Sequence, residues 1–93
     1  MNNIELFPII GSFGENKDKA RDIRITQITP VLDMGENITL DFKGVESITQ
    51  SFGHALISEL IRKYGIDVLD RISFANCSST VSKIIEIVVD YMQ

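Results

Sequence analysis

Ile38-Thr39-Leu40-Asp41-Phe42-Lys43-Gly44-Val45-Glu46-Ser47-Ile48-Thr49-Gln50-Ser51-Phe52 is the stretch that decides the fold. Ile38, Leu40 and Phe42 recur at every second position, which predicts a strand over residues 37–42 with one buried face. Gly44 closes it. From Ser51 the period changes: Phe52, Ala55, Leu56, Leu60 and Tyr64 recur at three- and four-residue steps, the stripe of a helix over residues 51–64 that packs on a sheet. Gly65 follows, a residue favoured just past a helix end. A strand, a short polar connection and a helix therefore follow one another directly.

Downstream, residues 68–74 read as the next strand. Val81, Ile84, Ile85, Val88 and Met92 then form the stripe of a final helix, capped by Asn76, Ser78 or Ser79. Upstream, Ile4, Leu6, Ile9 and Ile10 predict a first strand over residues 3–10, in which Pro8 marks an edge or a break. Gly11-Ser12-Phe13-Gly14 is a turn, and Ala20 and Ile23 at helical spacing predict a short helix over about residues 16–25. Residues 25–29 have strand-like types, while Thr29-Pro30 opens another helical turn that Gly35 ends. The expected fold is a single α/β domain over residues 1–93, a small sheet of about four strands, partly parallel, packed by helices. Parallel pairing of the second and third strands brings the loops at residues 43–50 and 75–79 to one carboxyl end, where open α/β folds bind their ligands and partners.

Composition narrows the function. With 44% hydrophobic and 24% charged residues the 93-residue chain has the make-up of a folded domain. Its longest apolar runs, such as residues 84–89 interrupted by Glu86, fall far short of the roughly 20 residues of a membrane span. Residues 1–5 carry Asn and Glu where a secretory signal places Lys or Arg, and Cys77 is the only cysteine, so a cytoplasmic location is expected. A net charge of -4, with cations scattered among acids over residues 15–22, argues against nucleic acid as a partner.

Reactive groups are sparse. His54 is the sole histidine, so a metal cluster or a Cys–His nucleophile has only the pair His54 and Cys77 to draw on, and they belong to different helices. His54 reads as an ordinary helix residue and Cys77 as a small buried filler. The glycines at residues 11–14 lack the spacing of a dinucleotide or Walker loop. Asp33, Asp67 and Asp70 stand where turns and caps favour Asp, and no spacing pairs any of them, or Asp41, with another carboxylate. The alternating charges over residues 17–24 read as a solvated helix face. No cofactor, metal or catalytic residue is expected.

The opening stretch resembles the signature of STAS-like domains: a strand ending in Leu40-Asp41-Phe42, then Gly44-Val45, a short loop and a helix opening near Ser51-Phe52. Ile72-Ser73-Phe74-Ala75-Asn76 is similar to that family's next strand and trailing Asn, and residues 13–20 are loosely similar to its first helix. These domains are related in fold to anti-sigma factor antagonists, which bind a kinase-like ATPase and are released by phosphorylation of a serine at the loop-to-helix junction. Carried over by position, that serine is Ser51. Antagonists show Asp-Ser-Ser-Gly there, whereas this chain reads Thr49-Gln50-Ser51-Phe52 and lacks the Asp and the Gly. Ser51 as a plain N-cap or first-turn residue stands beside the switch reading, with Thr49 as the alternative cap.

The resemblance implies a non-catalytic regulatory module with a protein partner, such as a histidine-kinase-type ATPase or an anti-sigma-type regulator. Partner contacts are expected from Lys43, Gly44, Glu46, Ser47, Thr49, Gln50, Phe52, Asn76 and Ser78, with Ser51 as the phosphorylation candidate. A different reading is a small-molecule or nucleotide sensor binding at the helix starts near Ser51 and Ser78. An enzyme ranks last. Ile87, Val89 and Tyr91 widen the apolar surface of the final helix enough to serve a homodimer.

Overall fold

The computed structural model describes residues 2–93. Its first strand, β1 (Asn2–Glu5), is shorter than the sequence predicts, because residues 7–10 form a single helical turn, α1 (Phe7–Ile10), with Pro8 as its second residue. A proline cannot donate to a strand ladder, and its fixed φ suits a first helical turn. The turn that follows carries a strand that periodicity misses, β2 (Phe13–Gly14).

Asn16 caps α2 (Lys17–Ile23) by accepting from the N–H groups of Asp18 and Lys19. The strand-like residues 25–29 are helical: α2 runs through a π-helical segment, Arg24–Ile28, into α3 (Thr29–Asp33). Pro30 has no N–H to offer the Thr26 carbonyl, and the widened turn sits directly ahead of it. The Thr26 hydroxyl donates back to the Asp22 carbonyl at 2.6 Å, a bond helix interiors tolerate and which bends them.

The predicted central strand is β3 (Ile38–Asp41), and a second unpredicted strand, β4 (Ser47–Ile48), follows its loop. The long helix starts at Gln50 with Thr49 as its cap, not at Ser51, and comprises α4 (Gln50–Gly53), a π-helical segment His54–Ser58, and α5 (Glu59–Tyr64). The strand expected over residues 68–74 starts only at Ile72. Residues 66–71 form a 3-10 segment with Val68 buried in the core, ahead of β5 (Ile72–Ala75). Adjacent Val68 and Leu69 break the period of two, and Asp67 and Asp70 disfavour a strand. The chain ends in α6 (Ser79–Tyr91), capped by Ser78.

All pairing is parallel. The main sheet has the order β1-β3-β5, with Ile4, Leu40 and Phe74 in one row and Glu5, Asp41 and Ala75 in the next, while β2 and β4 form a separate pair. The sheet is apolar on one face only. Ile4, Ile38, Leu40 and Ile72 are buried against the helices, whereas Asn3, Glu5 and Ser73 on the other face are exposed. The expected wider flank of α6 narrows as well, since Val89 and Met92 pack on the core. Ile87 and Tyr91 stay exposed, and the Tyr91 ring meets His54 edge-on at 5.2 Å.

At the amino end of the sheet the Arg71 guanidinium donates to the carbonyls of Leu32 (2.7 Å) and Glu36 (2.9 Å), tying the end of α3 and the turn after it to β5. Helix packing depends on Gly53, where α4 meets α6: a Cβ there would lie 3.0 Å from Val88 Cγ2 and 3.3 Å from Ile84 Cγ2. Gly53→Leu is therefore expected to destabilise the domain by about 1–3 kcal/mol through overpacking, read as a lower urea midpoint at unchanged m-value. An unshifted midpoint would show that α4 and α6 are not held this closely.

Candidate functional site

The ladder carries three loops to one edge. Leu6 N–H donates to the Asp41 carbonyl (3.0 Å) and Phe42 N–H to the Ala75 carbonyl (2.9 Å), so the chain segments leaving β1, β3 and β5 start side by side. Asp41 then organises them. Its Oδ1 accepts from the Lys43 backbone N–H and from Asn76 Nδ2, both at 2.9 Å, joining the turn after β3 to the turn after β5. Asn76 holds a left-handed backbone with φ 55°, a conformation that Asn adopts more readily than most residues.

The loop after β3 is stitched at further points. Its Glu46 N–H donates to the Ser12 carbonyl at 2.7 Å and its Thr49 N–H to the Gly14 carbonyl at 2.9 Å, the bonds around which β2 and β4 pair. Ser78 serves twice: its hydroxyl donates to the Glu46 carbonyl at 2.8 Å and accepts from Val81 N–H at 3.0 Å, fixing the loop to the start of α6. Thr49 Oγ1 accepts from Phe52 N–H at 3.1 Å and caps the other long helix. Gly44 has a φ of +89°, and the ring of Phe7 lies where a Cβ would sit, 2.8 Å from the nearest ring atom.

The sequence-predicted residues thus divide. Lys43, Gly44, Glu46, Gln50, Ser51 and Asn76 are exposed on one continuous ledge, and Ser47, Thr49 and Ser78 are half-buried in it. Phe52 does not belong to the surface: it is 0% exposed and anchors the helix start in the core. Its place in the helical stripe carries that signal already. Ser51 occupies the first turn with its side chain in water, while Thr49 takes the capping role. Phe7 and Phe13, which the sequence reading left off the ledge, flank it at 46% and 48% exposure.

His54 and Cys77 are far apart. His54 packs on Tyr91, the last residue of α6, and Cys77 lies ahead of the first, so the length of that helix, roughly 20 Å, separates them. Burial pushes the Cys77 thiol up in pKa, opposed in part by a bond to Ser82 and helped to a smaller extent by the Asp41 charge. A thiol held protonated is a poor nucleophile. Among the described residues no group of His, Cys, Asp and Glu converges as a metal site, and no helix is long and apolar enough to cross a membrane.

Asp41 has its pKa lowered, by the Asn76 amide first, then by the Lys43 N–H and the Lys43 charge. The unfolded chain therefore takes up this proton first. The stability Asp41 contributes is complete above the unfolded value of about 3.9 and drains as pH falls through the lower folded value. Asp41→Asn is expected to be less stable than the natural chain at pH 6, with the gap closing towards pH 3, read by urea unfolding at each pH. A gap that is the same at both would remove Asp41 as the charged tie.

Comparison with protein families matches residues 19–82 to one described as a STAS-like domain of unknown function. No curated protein and no solved structure matches the chain. The matched residues make up well over half of the sequence and take in β3, its loop, the helix that follows and β5, so the protein belongs to this family of STAS-like domains.

Proposed function

We propose that the domain is a non-catalytic regulatory module that docks a protein partner on the carboxyl-end ledge. The observation that carries this reading is the exposure of Lys43, Glu46, Gln50 and Ser51 along one connection whose backbone is held at both ends by hydrogen bonds. A surface fixed in shape before binding loses little entropy on docking. The absence of contact between His54 and Cys77 favours binding over catalysis, and the lone thiol suits a reducing cytoplasm.

The partner class we propose is an ATPase of the histidine-kinase type or an anti-sigma-type regulator, with Ser51 as the switch. Among the described residues the Ser51 hydroxyl enters no hydrogen bond, because Thr49 does the capping. Phosphate on Ser51 adds about -1.5 to -2 charges at the positive end of a helix, which stabilises the helix start and makes the ledge more acidic. The fold survives and the affinity changes. The Phe52 and Val81 N–H groups already donate to the hydroxyls of Thr49 and Ser78, and the Ser78 proton goes to the Glu46 carbonyl, which disfavours the sensor reading with an anion at the helix starts.

Tagged protein from its own cells is expected to bring down one partner specifically. Glu46→Lys, whose carbonyl still accepts from Ser78, should weaken that complex several-fold while shifting stability by less than about 0.5 kcal/mol. Phosphorylation of Ser51 should release the complex, and Ser51→Ala should retain it. Affinity unaltered by both changes would move the interface off the ledge.

A further inference from the structure

The loop after β1 and the polar face of the sheet meet in a groove of about 340 Å³, lined by Glu5, Phe7, Pro8, Asp41, Lys43 and Gly44. Phe7 and Pro8 make its apolar wall. The Phe7 ring rests on Gly44, yet it is nearly half exposed, an unusual position for an aromatic side chain that no element covers.

The facing wall is anionic. Glu5 and Asp41 are register partners on adjacent strands, so their side chains leave the same face about 5 Å apart. Among the described residues neither carboxylate enters an ion pair, the described pairs joining Arg62 to Glu59 and Lys63 to Asp33, although the Lys43 charge acts on Asp41. Asp41 spends Oδ1 on Lys43 N–H and Asn76 while Oδ2 is unused, and Glu5 enters no hydrogen bond among the described residues. Lys43 is the one cation at the rim, so a negative charge in the groove stays uncompensated.

An aromatic wall opposite spare carboxylate oxygens fits a flat cation on an apolar stem. We propose that the groove receives an arginine side chain of the docked protein, its guanidinium between the Phe7 ring and the carboxylates of Glu5 and Asp41. Arginine suits better than lysine because its planar fork both stacks on a ring and pairs with carboxylate oxygens. The chain's net charge of -4 also steers a basic surface towards it. The inference rests on the docking reading above and specifies the chemistry the partner must bring.

The probe is N-acetyl-arginine amide, titrated into the isolated domain and followed by amide NMR, with N-acetyl-citrulline amide as the uncharged control of the same shape. Saturable shifts are expected at Glu5, Phe7, Lys43 and Gly44 with arginine and not with citrulline. Glu5→Gln, at an exposed position that leaves the fold intact, should weaken the response about two- to fivefold. Silence of these amides up to tens of millimolar probe, or an equal response to citrulline, would overturn the arginine site. If the probe fails while Glu46→Lys still weakens the partner complex, the arginine site alone is lost. If the probe binds and Glu46→Lys does nothing, the docking reading is what fails.

Discussion

One carboxylate oxygen organises the carboxyl end of the sheet in this domain. Asp41 Oδ1 sits where the central strand ends and accepts from two donors that belong to different turns, the Lys43 N–H and the Asn76 amide. Without it, the left-handed turn at Asn76 and the glycine turn at Gly44 would lose their direct side-chain link, and more of their ordering would fall on the remaining bonds. With it, the start of α6 and the loop after β3 form a single piece, to which Ser78 adds a second tie through the Glu46 carbonyl. The lowered pKa of Asp41 follows from the same contacts and keeps the group ionised where its bonds are strongest.

The parallel sheet explains why the ledge exists at all. Each strand must return by a crossover, so β1, β3 and β5 all point one way and their following loops crowd at one edge. Parallel sheets usually carry helices on both faces. Here the helices cover one, and the other is polar, with Asn3, Glu5 and Ser73 in water. The two ends then divide the labour: Arg71 ties helix end to strand at the amino end, and the carboxyl end holds fixed but uncovered side chains.

Much of this was legible in the sequence because it obeys simple periods. The step of two in Ile38, Leu40 and Phe42 placed the central strand, the helical stripes from Phe52 and from Val81 placed both long helices, and Ser78 stood among the three candidate caps of α6, with Asn76 and Ser79. What escaped notice lacks a period. β2 and β4 have two residues each, too few for any pattern, and exist only because Ser12 and Gly14 carbonyls meet the loop after β3. The 3-10 segment at residues 66–71 and the helical turn at Phe7 are decided by tertiary packing and by Pro8. Phe52 was assigned to the surface although its own stripe puts it inside, a case of the resemblance outweighing the periodicity. The exposed pair Phe7 and Phe13 left no local signal, since an aromatic residue in a strand or turn is ordinarily core.

The central claim is that binding happens at the carboxyl end of the sheet and not at its amino end. The most direct measurement is photo-crosslinking in the cells that make the protein, with a photoreactive residue in place of Glu46 on the ledge or, in a matched variant, of Asp67 ahead of β5. Both side chains are exposed, so neither replacement disturbs the core. The account predicts one discrete protein adduct from position 46 and none from position 67. A discrete adduct from position 67 with none from position 46 would contradict it.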